Sequence, residues 1–298
     1  MGSEEAQRVR VGIGLSPDLI RLGRSRLGEM VNQINASAID HVVVTDHVAF
    51  RGGRGQDGLS TLHYLAGLGL ERPLHTGVLI LPIRHPTLVA RQLLDLADVH
   101  PFGVVAGVGL GGDDPAEYSM VGMQARGLGS RMDEAVDLLV DLLGEREAID
   151  RDGLYGASGP GLRRGDGERV QVLVGGRVDA SHHRAARADG WLAAFCSPSR
   201  FGAGGEQVRA LSPSATLGYQ AWIGVGPDGR EQADAQIQRF YGVDPRAFER
   251  YVPVGETSTL VEHFQAYVDS GAQVLNLFPA GEPELGISVV ATVAEAFE

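Results

Sequence analysis

Thr45-Asp46-His47 places a carboxylate beside an imidazole, directly after the β-branched run Val42-Val43-Val44. An imidazole titrates near neutrality and can serve as acid, base or hydrogen-bond donor. Its bland alternative is a strand-end histidine that satisfies a buried carbonyl. Asp46 alternates to the other side of an extended chain, so it suits orienting a ligand or a backbone rather than His47. Further on, His85 precedes Pro86, where the backbone is pushed extended; a helix-entry residue bonded to its own loop is the reading there. Gly77 interrupts an apolar run. It would let a flat ring approach the main chain, and a simple bulge explains it equally well.

Two glycine clusters follow strand-like runs. Gly107-Val108-Gly109-Leu110-Gly111-Gly112 exposes amide donors that an anion can use. It is not a dinucleotide fingerprint, because Asp113, Asp114 and Pro115 intervene before any helix. Val174-Gly175-Gly176-Arg177 leads into a helical stretch over Ser181 to Asp189. Free amides and a helix dipole there make an anion pocket, with Arg177 as a fork-shaped donor; the alternative is a tight turn with a solvated arginine. His182 and His183 lack metal spacing with a carboxylate, so no metal site is expected. The single cysteine, Cys196, excludes an internal disulfide and a cysteine-built metal site, and is expected to pack at a strand end.

The elements that must position these residues are eight short apolar runs. They are Val9–Leu15, Ile39–Thr45, His75–Leu81, Val104–Gly109, Val170–Val174, Trp191–Phe195, Thr216–Val225 and Val274–Phe278. Eight strand–helix units close a (β/α)₈ TIM barrel, an α/β fold whose chemistry sits where strands run out into their following loops. Helical periodicity spans Asp18–Ser37, Pro86–Asp98, Ser130–Leu143, Ser181–Asp189 and Thr257–Gly271. Residues 49–60 and 150–168 are glycine-rich and charged and carry no period; they are expected as excursions over the barrel rim. No linker is visible, so residues 1–298 are expected to form one domain.

The formal net charge is −12, and every cation among the 298 residues is arginine. An acidic surface argues against nucleic acid or an anionic membrane as partner, and the absence of lysine excludes a lysine Schiff base. No stretch approaches the roughly 20 apolar residues of a membrane span. The polar start, Met1 to Gln7, has no signal-like apolar core, so a cytoplasmic protein is expected. Lysine-free, alanine- and glycine-rich usage resembles the bias of high-GC coding.

Taken in order, these pieces resemble the bacterial luciferase-like family of flavin- and deazaflavin-dependent oxidoreductases. The likeness runs from Val11 to Phe278. It is carried by Val44-Thr45-Asp46-His47, by Thr76 to Pro82 with Arg84-His85-Pro86 and Val89-Ala90, and by Gly107 to Gly111 with Glu117, Gly122 and Arg131. Val172 to Gly176, Arg184 to Trp191, and Val254 to Thr257 complete it. The resemblance implies a tricyclic cofactor across the strand C-termini, with Asp46 and His47 at its reacting edge. It further implies a bulge and a non-prolyl cis peptide at Gly77-Val78 supporting the ring. Loops at Gly109-Leu110-Gly111 and Gly175-Gly176, with Arg177, would hold the cofactor's tail and phosphate.

The Asp-His pair is similar to the branch that uses coenzyme F420, and the composition resembles actinobacterial usage. The expected function is hydride transfer between the reduced deazaflavin and a small organic substrate, with His47 moving the proton and Asp46 positioning ring or substrate. An FMN-dependent monooxygenase with a separate reductase is the first alternative, and a non-catalytic partner subunit the second. A homodimer is expected by family analogy. The chain departs from the family's pattern at four places. Val99-His100-Pro101-Phe102-Gly103 replaces a serine–glycine–glycine–arginine-like stretch. Gly112, with Asp113 beside it, stands where some relatives have a proton-donating glutamate. Arg51 or Phe50 takes the place of an aromatic after the histidine, and the segment after Leu143 is short.

Overall fold

The computed structural model describes residues 8–111 and 114–298. Eight strands form a closed, all-parallel barrel: β1 (Arg10–Leu15), β2 (His41–Val44), β3 (Leu74–Ile80), β4 (Val104–Gly109), β5 (Gln171–Gly175), β6 (Gly190–Ala194), β7 (Thr216–Gly224) and β8 (Val274–Ala280). They are neighbours in chain order, and β1 closes the ring against β8. Each of the eight apolar runs read from the sequence is one of these strands, shifted by at most a few residues.

The helices differ more from expectation. The stretch expected as one helix over Asp18–Ser37 is two, Pro17–Ile20 and Arg24–Asn35, because Gly23 between them takes φ 88°. Among the described residues, four helices of ten residues or more escape periodicity: Gly58–Gly67, Pro198–Leu211, Gly229–Tyr241 and Pro283–Ala296. Pro198–Leu211 is instructive. Its glycines lower helix propensity, yet a Cβ at Gly204 would stand 2.6 Å from the Trp191 ring and one at Gly205 2.6 Å from Leu217. Close packing on the barrel, not local preference, selects them.

Neither rim segment is wholly irregular. His47–Ala49 pairs with Arg54–Gln56 in a short antiparallel ribbon, and the following helix opens at Gly58. Ala148–Arg151 pairs with Ala157–Pro160, whereas residues 161–168 hold no helix or strand. Tyr155 Oη donates to the Pro82 carbonyl at 2.5 Å and so fastens this second excursion to the end of β3.

Strand register sorts the barrel interior into layers. Gln220 pairs with Asn276, Asn276 with Gly12 and Gly12 with His41, a polar layer. Trp222 pairs with Phe278 and Gly14 with Val43 in the layer nearer the strand C-termini. On the opposite side the interior is apolar, with Val105, Leu173 and Leu192 around Val78. His41 Nε2 lies 2.7 Å from Asn276 Oδ1, and its ring stacks on His75 at 4.0 Å. Burial holds His41 down at about 4 and His75 well below its ordinary value.

Because both histidines are kept neutral in the fold, the unfolded chain takes up protons that the folded chain refuses. Their contribution is complete above the ordinary value of 6.5 and is lost as pH falls towards 4. For His41 alone the loss across that window is about 3 kcal/mol. Urea midpoints measured from neutral pH downwards should therefore fall, and the His41→Gln variant should show a slope shallower by about one proton.

Candidate active site

Asp46 follows β2 at the barrel's C-terminal end and is fully buried. Four donors surround its carboxylate. Arg84 reaches both oxygens at 2.8 Å, and the amides of Gly58 and Ile80 add one bond each at 2.9 Å. Arg84 also reaches Asp57 Oδ2 at 2.9 Å. Burial opposes the charge on both members of the pair, raising Asp46 and lowering Arg84. The carboxylates of Asp46 and Asp57 outweigh that effect on Arg84 and lift it above its ordinary value. Every contact Asp46 makes is with a donor, so we hold the ion pair to be the resident form. Asp46 thus binds backbone and Arg84, and it is not among the residues that line the neighbouring cleft. Its carboxylate joins the ends of β2 and β3 to the Gly58 helix.

His47, one residue on, points the other way. Its Nδ1 lies 3.0 Å from Glu117 Oε2, and its ring stacks on Phe50 with centroids 4.3 Å apart. Glu117 is buried, and its other oxygen accepts the amides of Val48 at 3.0 Å and Ala49 at 2.8 Å. A carboxylate is an acceptor only, so Nδ1 carries the hydrogen and Nε2 is the nitrogen left for other partners. Glu117 was legible in the sequence only as one residue of a family-like stretch. Its 70-residue separation from His47 hid the contact, although a carboxylate shortly after the fourth strand is where barrel chemistry collects. Phe50 supplies the aromatic that follows the histidine. Gly112 and Asp113, weighed as a replaced proton donor, lie outside the described residues.

A cleft opens beside His47 at the C-terminal end of the barrel. Its walls are mostly aromatic: Phe50, Phe195, Trp222, Phe240, Tyr241 and Phe278. Polar groups reach it from Thr45, His47 and Gln220, and Gly77 forms part of its surface. The Gly77-Val78 peptide is cis, and the β3–β4 register slips between Thr76 and Leu79. A Cβ at Gly77 would stand 2.7 Å from Gln220 Oε1 and from Val43. Thr45 Oγ1 and Gln220 Oε1 are buried with no hydrogen-bond partner among the described residues. Two orphaned polar atoms above a side-chain-free ledge, between aromatic walls, fit a flat heterocycle with a polar edge.

The glycine loops take other positions. Gly109, Leu110, Gly111, Gly175, Gly176 and Arg177 do not line this cleft. A Cβ at Gly109 would meet Val78 at 2.6 Å, and one at Gly175 would meet it at 3.1 Å, so both glycines give room to that side chain. Tyr118 Oη donates to the Leu110 carbonyl. Arg177 is exposed and donates to the Phe195 carbonyl at 3.0 Å. At the start of the helix Asp179–Ala186, Ser181 Oγ already accepts the Val178 amide at 3.1 Å. His85 caps the helix Pro86–Val99 through the Thr87 amide, the helix-entry reading. Val99 to Gly103 precedes β4, at the barrel's opposite end, with His100 Nε2 bonded to the Arg72 carbonyl at 2.9 Å. Cys196 is buried and its thiol is pushed up to about 11 by burial. Among the described residues no cluster of histidine, cysteine and acidic side chains is placed to hold a metal, and no helix is long and apolar enough to cross a membrane.

Comparison with known proteins adds a family. Residues 10–273 match the family model described as luciferase-like monooxygenase. An uncharacterized protein of Mycobacterium tuberculosis is 34% identical over 116 residues, which are 39% of this chain and 40% of that protein. The match thus spans well under half of the curated relative's length. Among solved structures, an F420-dependent secondary alcohol dehydrogenase in complex with an F420-acetone adduct aligns with TM-score 0.79 at 16% identity, over 97% of this chain and 99% of the other. The oxygenating constituent of 3,6-diketocamphane monooxygenase from Pseudomonas putida, in complex with FMN, aligns with TM-score 0.70 at 16% identity, over 97% of both chains. Likeness at such identities speaks for the shared barrel.

Removing Asp46 leaves Arg84 paired with the exposed Asp57 and strands the buried amides of Gly58 and Ile80. Asp46→Ala should cost about 3–5 kcal/mol of unfolding free energy, read from urea denaturation. The Asp46→Leu/Arg84→Met double variant, which removes both charges, should lose less than the single variant.

Proposed function

The chain belongs to the luciferase-like monooxygenase family, a family of oxidoreductases, and from that premise we propose that it passes a hydride between reduced coenzyme F420 and a small organic substrate. The observation that carries this reading is the buried Glu117 carboxylate holding the His47 imidazole at the wall of an aromatic cleft. When bound, the deazaflavin supplies the hydride chemistry. The cis Gly77-Val78 ledge, the aromatic walls, and the unpartnered Thr45 Oγ1 and Gln220 Oε1 would hold its ring.

Hydride delivery to a carbonyl leaves an oxygen that needs a proton, and the reverse reaction must take one away. His47 is suited to both directions. Its Nδ1–H is fixed on Glu117, so proton transfer falls to Nε2, and the carboxylate stabilises the ring when both nitrogens are protonated. The three donors on Glu117 hold that side chain in place. Asp46 acts one step removed: by pinning Gly58, Ile80 and Arg84 it fixes the path of the chain that carries His47.

Titration of the protein with F420 and with FMN, followed by absorbance, tests the assignment. Binding of the deazaflavin at micromolar concentration is expected. Preference for FMN would move the protein to the flavin monooxygenase reading, and binding of neither would favour a non-catalytic partner subunit. The His47→Ala variant should lose turnover while cofactor affinity stays within about tenfold. Glu117→Gln should lower kcat by about tenfold or more, with KM and cofactor affinity held.

A further inference from the structure

Beyond His47 and Phe50 the surface forms a second, shallow cleft. Three of its lining residues, His47, Phe50 and Phe240, are shared with the aromatic cleft, so the two meet at the imidazole. Its inner surface is apolar, with Pro17 and Phe50 buried and Phe240 half-buried. Its mouth is cationic: Arg21, Arg54 and Arg239 are exposed there against one acid, Asp18. Arg239 pairs with that acid at 2.6 Å. Arg21 donates to the Gly55 carbonyl at 2.9 Å, and among the described residues neither Arg21 nor Arg54 has a carboxylate partner.

That local charge runs against the rest of the molecule, whose net charge is −12. A protein so acidic repels anions at long range, and an anionic ligand can settle only where cations are concentrated at short range. Two guanidinium groups without acids, beside a shallow apolar surface that reaches a candidate proton-transfer group, supply that arrangement. A planar fork suits a carboxylate and binds it with two parallel bonds.

We propose that this outer cleft is the substrate's seat and that the substrate is an organic acid. Its apolar body lies against Pro17, Phe50 and Phe240, and its carboxylate meets Arg21 and Arg54. The role as substrate rests on the aromatic cleft being the seat of the redox ring. The recognition of an apolar carboxylate does not.

The test uses 2-naphthoate and its neutral methyl ester, titrated calorimetrically into the cofactor-free protein. The acid should bind about tenfold more tightly than the ester. That advantage should shrink as salt is raised from about 50 to about 500 mM. The Arg21→Gln/Arg54→Gln variant should lose the advantage while its affinity for the ester holds; the salt series on the unaltered protein stands even where that variant does not fold. Equal binding of acid and ester, or an advantage that survives both high salt and the double variant, would overturn the proposal. So would inorganic phosphate displacing the acid through the same arginines, which would make the cleft a seat for a cofactor's phosphate. Selectivity for the acid in a protein that binds no deazaflavin would leave the carboxylate site standing and remove the redox reading.

Discussion

A buried charge must be paired, and around Asp46 that requirement organises the catalytic end of the barrel. Its carboxylate has no solvent to rely on, so the chain brings it Arg84 from beyond β3 and amides from Gly58 and Ile80. Those bonds connect three segments that are far apart in sequence. Once Asp46 is committed inward, the alternation of an extended chain turns His47 to the other side. There Glu117 receives it and also ties down the amides of Val48 and Ala49. One residue therefore serves architecture and its neighbour is left for chemistry.

Strands were legible in the sequence because a parallel barrel buries both faces of each strand, leaving short apolar runs between polar loops. Helices were less so. Gly202, Gly204 and Gly205 lower the local signal of Pro198–Leu211, and contact with Trp191 and Leu217 explains the last two. At the site, His47 and Gly77-Val78 stood out through residue type and position. Glu117, Gln220 and Arg84 did not, because their significance lies in contacts across 38 to 143 residues of chain. Around the glycine pair before Arg177, Ser181 takes the Val178 amide and the arginine donates to the Phe195 carbonyl, contacts that residue type and spacing do not reveal.

The barrel interior is divided in a way that matches this division of labour. Around β4, β5 and β6 the lining is Val105, Leu173 and Leu192, a dry filling that needs no partner. Around β7, β8, β1 and β2 it is Gln220, Asn276 and His41, hydrogen-bonded in part, beneath the aromatic layer of Trp222 and Phe278. The cleft opens above the polar side. Its floor therefore offers directed acceptors and donors, whereas the apolar side holds the ring of strands closed.

The pairing of Gly14 with Val43 has an evolutionary corollary. A Cβ at position 14 would enter the space of the Phe278 ring, so that ring can lie flat across the barrel only while position 14 stays bare. Bulk at one of these sites must be traded for bulk at the other. Across related sequences the two positions should drift together, a small residue at 14 accompanying an aromatic at 278 and the reverse. Lineages that made the exchange would have remodelled the cavity floor without altering the backbone.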